Sequence, residues 1–315
     1  MIWLTWRQHR TELLMLAGLL ALIVAALVVT GVQIHGIADR LHIASCQADL
    51  SVPTCQNGMN EFFTRYAQYN QLRSALPFLN LFPAFAGILI GVPLLAREFE
   101  QGTQRLAWTQ SVPRLRWLRA RLTLLLGIAI TFSVVLTAVL TWWNTPFVAV
   151  FGRFELPSYD FTGVVPLAYA TVGVALGASL GAVLRRSIPA VALTLLGYAA
   201  LWMVLDNVLR WRLVPPVTKY FAALDGPTLS HQDWSIAQGF VDRSGHIVSD
   251  DTINALCQGA GSGLQCAADH GWRWYVVYHP ASDFWALQGV EAALLFALAA
   301  ALVALTLWWT RTRAG

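Results

Sequence analysis

Charge is scarce in this chain. Only 12% of its 315 residues are charged, about half the roughly 25% of an average soluble domain. That is too little polar surface to coat a globule in water. With 57% hydrophobic residues and a mean hydropathy of +0.54, the chain falls in the membrane class. Lysine is nearly missing, Lys219 being the only one. A phosphate-cradling loop needs Gly-x4-Gly-Lys-Ser/Thr, and no such run occurs, so any ATP chemistry is expected on another chain. A lysine Schiff base is disfavoured on the same ground, with Lys219 the one candidate. No Asn-x-Ser/Thr sequon occurs, and no Cys-x2-Cys spacing favours a metal. The sequence pI of about 9.0 does not imply a nucleic-acid partner, because the basic residues cluster beside apolar runs, as topology signals do.

What the chain has instead is long apolar runs. A helix needs about 20 such residues to cross the hydrocarbon. Six runs qualify, at 13–32, 77–96, 122–143, 164–184, 188–208 and 285–309; Asp206 closes the fifth and Glu291 is the one charge in the sixth. Backbone groups in lipid must bond internally, so these runs are expected to be helices. Between them lie a segment at 33–76, a basic loop at 97–121, a segment at 209–284 and a tail at 310–315. The N-terminus, the 97–121 loop, the Arg185-Arg186 turn and the tail hold Arg7, Arg10, Arg97, Arg105, Arg114, Arg116, Arg119, Arg121, Arg185, Arg186, Arg311 and Arg313, which is 12 of the 21 basic residues. That bias places them inside, with both termini cytoplasmic. Residues 1–12 mix Trp3, Leu4 and Trp6 with Arg7 and Arg10, which suits a short interfacial helix; a plain charged anchor is the simpler alternative.

The segments at 33–76 and 209–284 are then external. They contain all four cysteines, Cys46 and Cys55 in the first, Cys257 and Cys266 in the second. The outside face is oxidising, so disulfides are expected. Pairing within each segment closes the shortest loops, although four cysteines allow three connectivities. Residues 240–248 read as a hairpin around Ser244-Gly245, Ser249 to Asp251 can cap a short helix, and 272–278 is β-prone. Asn60 to Leu76 has the pattern of an amphipathic helix running into the second span, and Ser282 or Asp283 can cap the last span. The fold expected is an all-α membrane protein of six helices with a small disulfide-stapled external cap.

Gly177-Ala178-Ser179-Leu180-Gly181 matches a Gly-x-Ser-x-Gly nucleophile elbow. That motif needs a strand-to-helix turn and a reachable base; here it sits inside an apolar run, and the seven histidines fall outside the six runs. Gly173, Gly177 and Gly181 instead repeat every four residues and make one flat face for close helix packing. Gly259, Gly261 and Gly263 lack the strand and helix that a dinucleotide fingerprint requires. Asp206 and Glu291 are the acids nearest the bilayer, where a charge is costly. They line a translocation path, or they are acids paired with a base such as Arg210. No catalytic residue is expected.

The run after the second span is the most telling. Arg97-Glu98-Phe99-Glu100-Gln101-Gly102-Thr103 sets two acids among arginines, with Arg105 following. A loop serving topology alone gains nothing from those acids. Arg-Glu-x-Glu-x-Gly-Thr resembles the coupling-helix signature of type-2 ABC export permeases. Phe99 to Arg119, and Tyr278-His279-Pro280-Ala281-Ser282 before the last span, are similar to the permeases common in high-GC Gram-positive bacteria. The resemblance implies a transmembrane subunit in the bacterial plasma membrane that dimerises with a second copy and binds a cytoplasmic ATPase subunit carrying ATP and magnesium. It implies that Glu98 and Glu100 lie on a short helix entering the ATPase, that Gly102 ends that helix, and that Thr103 starts the next. The apolar spans suit an amphipathic or lipophilic cargo. An external cap that senses a ligand or recruits a partner is the rival reading. An intramembrane enzyme is disfavoured by the absence of His and Cys from the six runs.

Overall fold

A computed structural model describes residues 2–43, 53–66, 75–101, 114–155, 158–258 and 263–312. The chain is mostly helical, with six helices long and apolar enough to cross a membrane. The first, α1, runs from Ile2 to Arg40 without interruption. No Gly or Pro falls before Gly18, so nothing separates an interfacial helix at 1–12 from the span. At a rise of 1.5 Å per residue, α1 exceeds the roughly 30 Å hydrocarbon and projects past the expected end at residue 32. Its far end is held by the helix of the third span, Arg114–Phe151: His35 stacks on Trp142 with ring centroids 4.7 Å apart, and Trp143 donates to Thr30 Oγ1 at 3.0 Å. The amphipathic helix of the 33–76 segment, α2, spans Pro53–Tyr66, starting earlier than expected; residues 67–74 lie outside the described set.

The second span is broken into pieces. A 3-10 stretch at Leu76–Leu81 is followed by α3 (Phe82–Ala86), a π turn at Gly87–Gly91 and a 3-10 turn at Val92–Leu94. Pro77, Pro83 and Pro93 each remove a backbone donor and crowd the carbonyl one turn back, so the regular ladder cannot persist. Leu95 leaves helical geometry (φ −125°), and the chain turns into the short helix α4, Ala96–Gln101.

The third span, α5 (Arg114–Phe151), continues through Pro146 beyond the expected 143. It ends at Gly152, whose φ of +88° is the left-handed cap geometry that glycine adopts most readily. A four-residue turn of helix, α6 (Ser158–Phe161), leads to the fourth span, α7 (Val165–Leu184). This helix is central: 72% of its apolar window is buried within the chain, against 22% for the first and fifth spans, whose exposed Leu, Ile and Val are suited to lipid. The fifth span, α8 (Ser187–Val204), extends through a π turn at Leu205–Leu209 and a 3-10 turn at Arg210–Arg212. The sixth, α11, covers Phe284–Thr312.

Between α8 and α11 lies a compact cap. Strands β1 (Val217–Ala222), β2 (Trp234–Val241), β3 (Ile247–Val248) and β4 (Arg273–His279) form an antiparallel sheet in the order β1-β4-β2-β3. The β2–β3 hairpin pairs Phe240 with Val248 and turns at Ser244-Gly245. Helices α9 (Asp250–Cys257) and α10 (Gly263–Asp269) cover the sheet, burying Ala223, Phe240, Ala267 and Trp272 together. Ser249 caps α9 by accepting from the Thr252 N–H, and Cys257 is bonded to Cys266. Cys46 lies outside the described residues. The cap therefore adds a real β-sheet to an otherwise helical protein. Neither Ser282 nor Asp283 caps α11; a 3-10 turn at Ala281–Asp283, entered from Pro280, leads straight into it, and Asp283 faces His279 Nδ1 at 3.4 Å.

Candidate functional site

Two polar sites stand at opposite ends of the bundle. The first surrounds α4. Its acids are engaged within the chain. Glu98 forms an ion pair with Arg121 of α5, and the Arg121 guanidinium also lies 4.3 Å over Trp117. Glu100 is exposed, with both oxygens on the start of α8: it accepts from the Ser187 N–H and hydroxyl, each at 2.7 Å. That bond satisfies a helix N-terminus with a carboxylate, the sign its dipole favours. Between the two acids, Phe99 lies under the Arg185 guanidinium at 5.3 Å, and Arg185 caps α7 in the left-handed region (φ +55°). Three consecutive α4 residues thus grip the ends of three membrane helices. Arg97 is the second residue of this helix; Gly102, Thr103 and Arg105 lie outside the described residues.

The second site is buried at the cap end, centred on Arg210, which is 3% exposed. Its Nε donates to Glu291 Oε2 at 3.0 Å, Nη2 to Asp160 Oδ1 at 2.7 Å and to Glu291 Oε1 at 3.1 Å, and Nη1 to Asp206 Oδ1 at 2.5 Å. Glu291 also accepts from the hydroxyls of Tyr159 and Tyr169, each at 3.0 Å. Asn80 of the second span donates to Asp160 Oδ2 at 2.8 Å, and Tyr198 of α8 donates to the Asn80 carbonyl. Gln288, one turn before Glu291, accepts from the N–H groups of Val164 and Val165 at the start of α7 and donates to the Tyr159 carbonyl. Burial pushes the Asp160 carboxyl, in the linker between spans, above the ordinary range, with Arg210 opposing that shift. Three carboxyl groups share one guanidinium in a region of low dielectric. Each charge is hydrogen-bonded, which such burial demands.

The two acids nearest the bilayer in the sequence, Asp206 and Glu291, are therefore brought together by Arg210. Asp160, Tyr159, Tyr169, Gln288 and Asn80 complete the cluster and were not legible as a group. The available signal was local: Ser158-Tyr159-Asp160-Phe161 places an acid between aromatics in the linker between the third and fourth spans.

The glycine face of α7 meets the second span. A Cβ on Gly173 would stand 2.1 Å from the Pro83 carbonyl oxygen, and one on Gly177 2.2 Å from that of Gly87. Gly87 reciprocates, 2.2 Å from the Gly173 oxygen. Ser179 of the elbow-like motif has no catalytic company; its hydroxyl bonds Thr306 Oγ1 and the Leu302 carbonyl of α11, each at 2.8 Å. Among the described residues no group of His, Cys, Asp and Glu is arranged to hold a metal.

A family model described as ABC-2 membrane transporter related matches residues 17–210, from the first span through Arg210 and well over half of the chain. No curated protein and no solved structure matches.

Proposed function

The chain belongs to the ABC-2 membrane transporter related family, and on that premise we propose that it is the permease of an exporter powered by a separate ATPase. It is a multi-pass membrane subunit of an ABC transporter, the transmembrane component rather than the ATPase. In the proposed assembly two copies of this chain form a homodimer, each bound to one cytoplasmic ATPase subunit that supplies ATP and magnesium, with both termini and α4 inside the cell. ATP binding brings the two ATPases together, α4 is pushed, and the spans rock so that an amphipathic or lipophilic cargo leaves outward. Such coupling requires nucleotide and cargo each to bind the two states unequally.

The observation that carries this reading is the triple attachment of α4, through Glu98 to Arg121, Phe99 to Arg185 and Glu100 to Ser187. A free loop would absorb displacement, whereas a helix braced against α5, α7 and α8 transmits it. The acids act here as struts, leaving the remaining surface of α4 for the ATPase. Glu98→Ala/Glu100→Ala in the permease–ATPase complex is expected to keep the complex assembled yet lose most cargo-dependent ATP hydrolysis and transport, roughly tenfold, the scale of a coupling free energy near 1.4 kcal/mol. Unchanged coupling in that variant overturns the reading.

A further inference from the structure

The inward face of α5 carries three buried polar residues along one stripe, Ser133, Thr137 and Asn144. Thr123, Thr131 and Thr145, exposed on the same helix, return their hydroxyls to the carbonyl four residues back, at 2.9, 2.9 and 3.0 Å. Ser133 and Thr137 do not, and neither hydroxyl has a partner among the described residues. The third member is half satisfied: Asn144 donates to Ser158 Oγ at 2.6 Å, while its Oδ1 is buried without a partner. Buried polar groups left unpaired are costly and rare in native proteins.

Ser133 and Thr137 line a cavity of about 30 Å³. Asn80 and Phe82 of the second span, Leu140 of α5 and Asp160 of α6 also line it. A water needs about 10–15 Å³ of such space and two to four polar partners. The volume therefore admits one or two waters and nothing the size of a cargo. Acceptors stand ready on the far wall. Asp160 Oδ1 accepts from Arg210 and Oδ2 from Asn80, and a carboxylate oxygen has lone pairs for a second donor.

We propose that this cavity holds ordered water bonded to the Ser133 and Thr137 hydroxyls and donating to Asp160. The water brings α5 into the Arg210 cluster, whose direct bonds join the second span, α6, α7, the continuation of α8 and α11. A lipid acyl chain or a dry void in its place leaves both hydroxyls unpaired. With the water, α5 meets a polar site at each end, since Arg121 near its start pairs with Glu98. The inference goes beyond the exporter reading and does not depend on it.

The full-length chain in lipid nanodiscs is exposed to brief X-ray radiolysis in heavy-oxygen water, and oxidised side chains are read by mass spectrometry. Radicals formed at a bound water mark the side chain beside it. Leu140 is 2% exposed and should be labelled severalfold above Leu125, which is as buried on α5 but away from the cavity. Thr137→Val keeps the shape and removes the hydroxyl. It should cut the Leu140 labelling and lower the thermal midpoint by about 2 °C, the scale of one lost hydrogen bond in a chain of this size. Ser133→Ala should act in the same direction. Thr131→Val, on the exposed face, is the control and should do neither. Leu140 labelled no more than Leu125, or thermal midpoints of Thr137→Val and Ser133→Ala at or above the parent's, marks a dry cavity and overturns the proposal.

Discussion

At the scale of single residues, Arg210 has the largest consequence. It joins the linker acid Asp160, Asp206 of its own helix and Glu291 of α11. Removing one partner of a buried ion network leaves unpaired charge, at a cost of about 3–5 kcal/mol. Arg210→Met is therefore expected to lower the thermal midpoint of the purified chain sharply. Arg210→Met combined with Asp160→Asn, Asp206→Asn and Glu291→Gln should recover much of that loss, because all three stranded carboxylates are neutralised. No recovery would show that packing, not charge, sets the cost. Asp242 in the cap makes the converse case. Hydrogen bonds from the Ser244 side chain and the His246 and Ser244 N–H groups hold its carboxyl below the ordinary 3.8. A carboxyl lowered on folding contributes stability above its unfolded value and loses it as the pH falls through its folded value. Protection of the β2–β3 hairpin amides from exchange, relative to the unstructured rate at each pH, should thus stay high at neutral pH and fall below about the usual carboxylate range. Asp242→Asn should lower that protection at neutral pH and flatten its acid response; an identical acid response in that variant removes Asp242 as the cause.

At the scale of elements, α7 and the second span define the core. Small residues let their backbones touch, and a methyl on either side has nowhere to go. Gly177→Ala forces a contact of 2.2 Å with the Gly87 carbonyl, an overpacking cost of about 1–3 kcal/mol. Gly127→Ala, where nothing lies within 4 Å, is the matched control and should leave the melting temperature in place. Equal melting of the two variants would mean that the helices part without penalty. The glycine face itself was readable from Gly173, Gly177 and Gly181, because a four-residue repeat marks one side of a helix. Its partner was not, since Gly87 and Gly91 sit among three prolines that look like ordinary span composition until the π turn brings them round. Helix ends were legible only to the edge of the apolar runs. Polar residues such as His35 and Asn144 stay helical because Trp142 and Ser158 receive them, a tertiary reason that no local pattern contains. The hairpin and the Ser249 cap were legible because turn and capping chemistry is local. The Arg210 cluster was not, because it joins residues 80, 160, 206, 210 and 291 through the fold.

At the scale of the whole molecule, α8 connects the two polar ends. It begins at Ser187, bonded to Glu100, and its helical continuation carries Arg210 into the buried cluster. In the proposed coupling, displacement of α4 would reach the acids beneath the cap along this helix, without passing through a loop. That proposal has direction only if the two ends face opposite sides of the membrane as the arginine bias requires. Six crossings put both termini at the α4 end, where Arg97, Arg116, Arg119, Arg121, Arg185 and Arg186 gather, while the cap end holds the carboxylates around Arg210. A cysteine placed at Ser230, exposed in the cap, is expected to react with a membrane-impermeant maleimide in intact cells. A cysteine at Arg186, at the α7–α8 turn beside α4, should react only after the membrane is opened. Labelling of Arg186→Cys from outside, with Ser230→Cys protected, would invert the chain in the membrane and put α4 out of reach of any cytoplasmic ATPase.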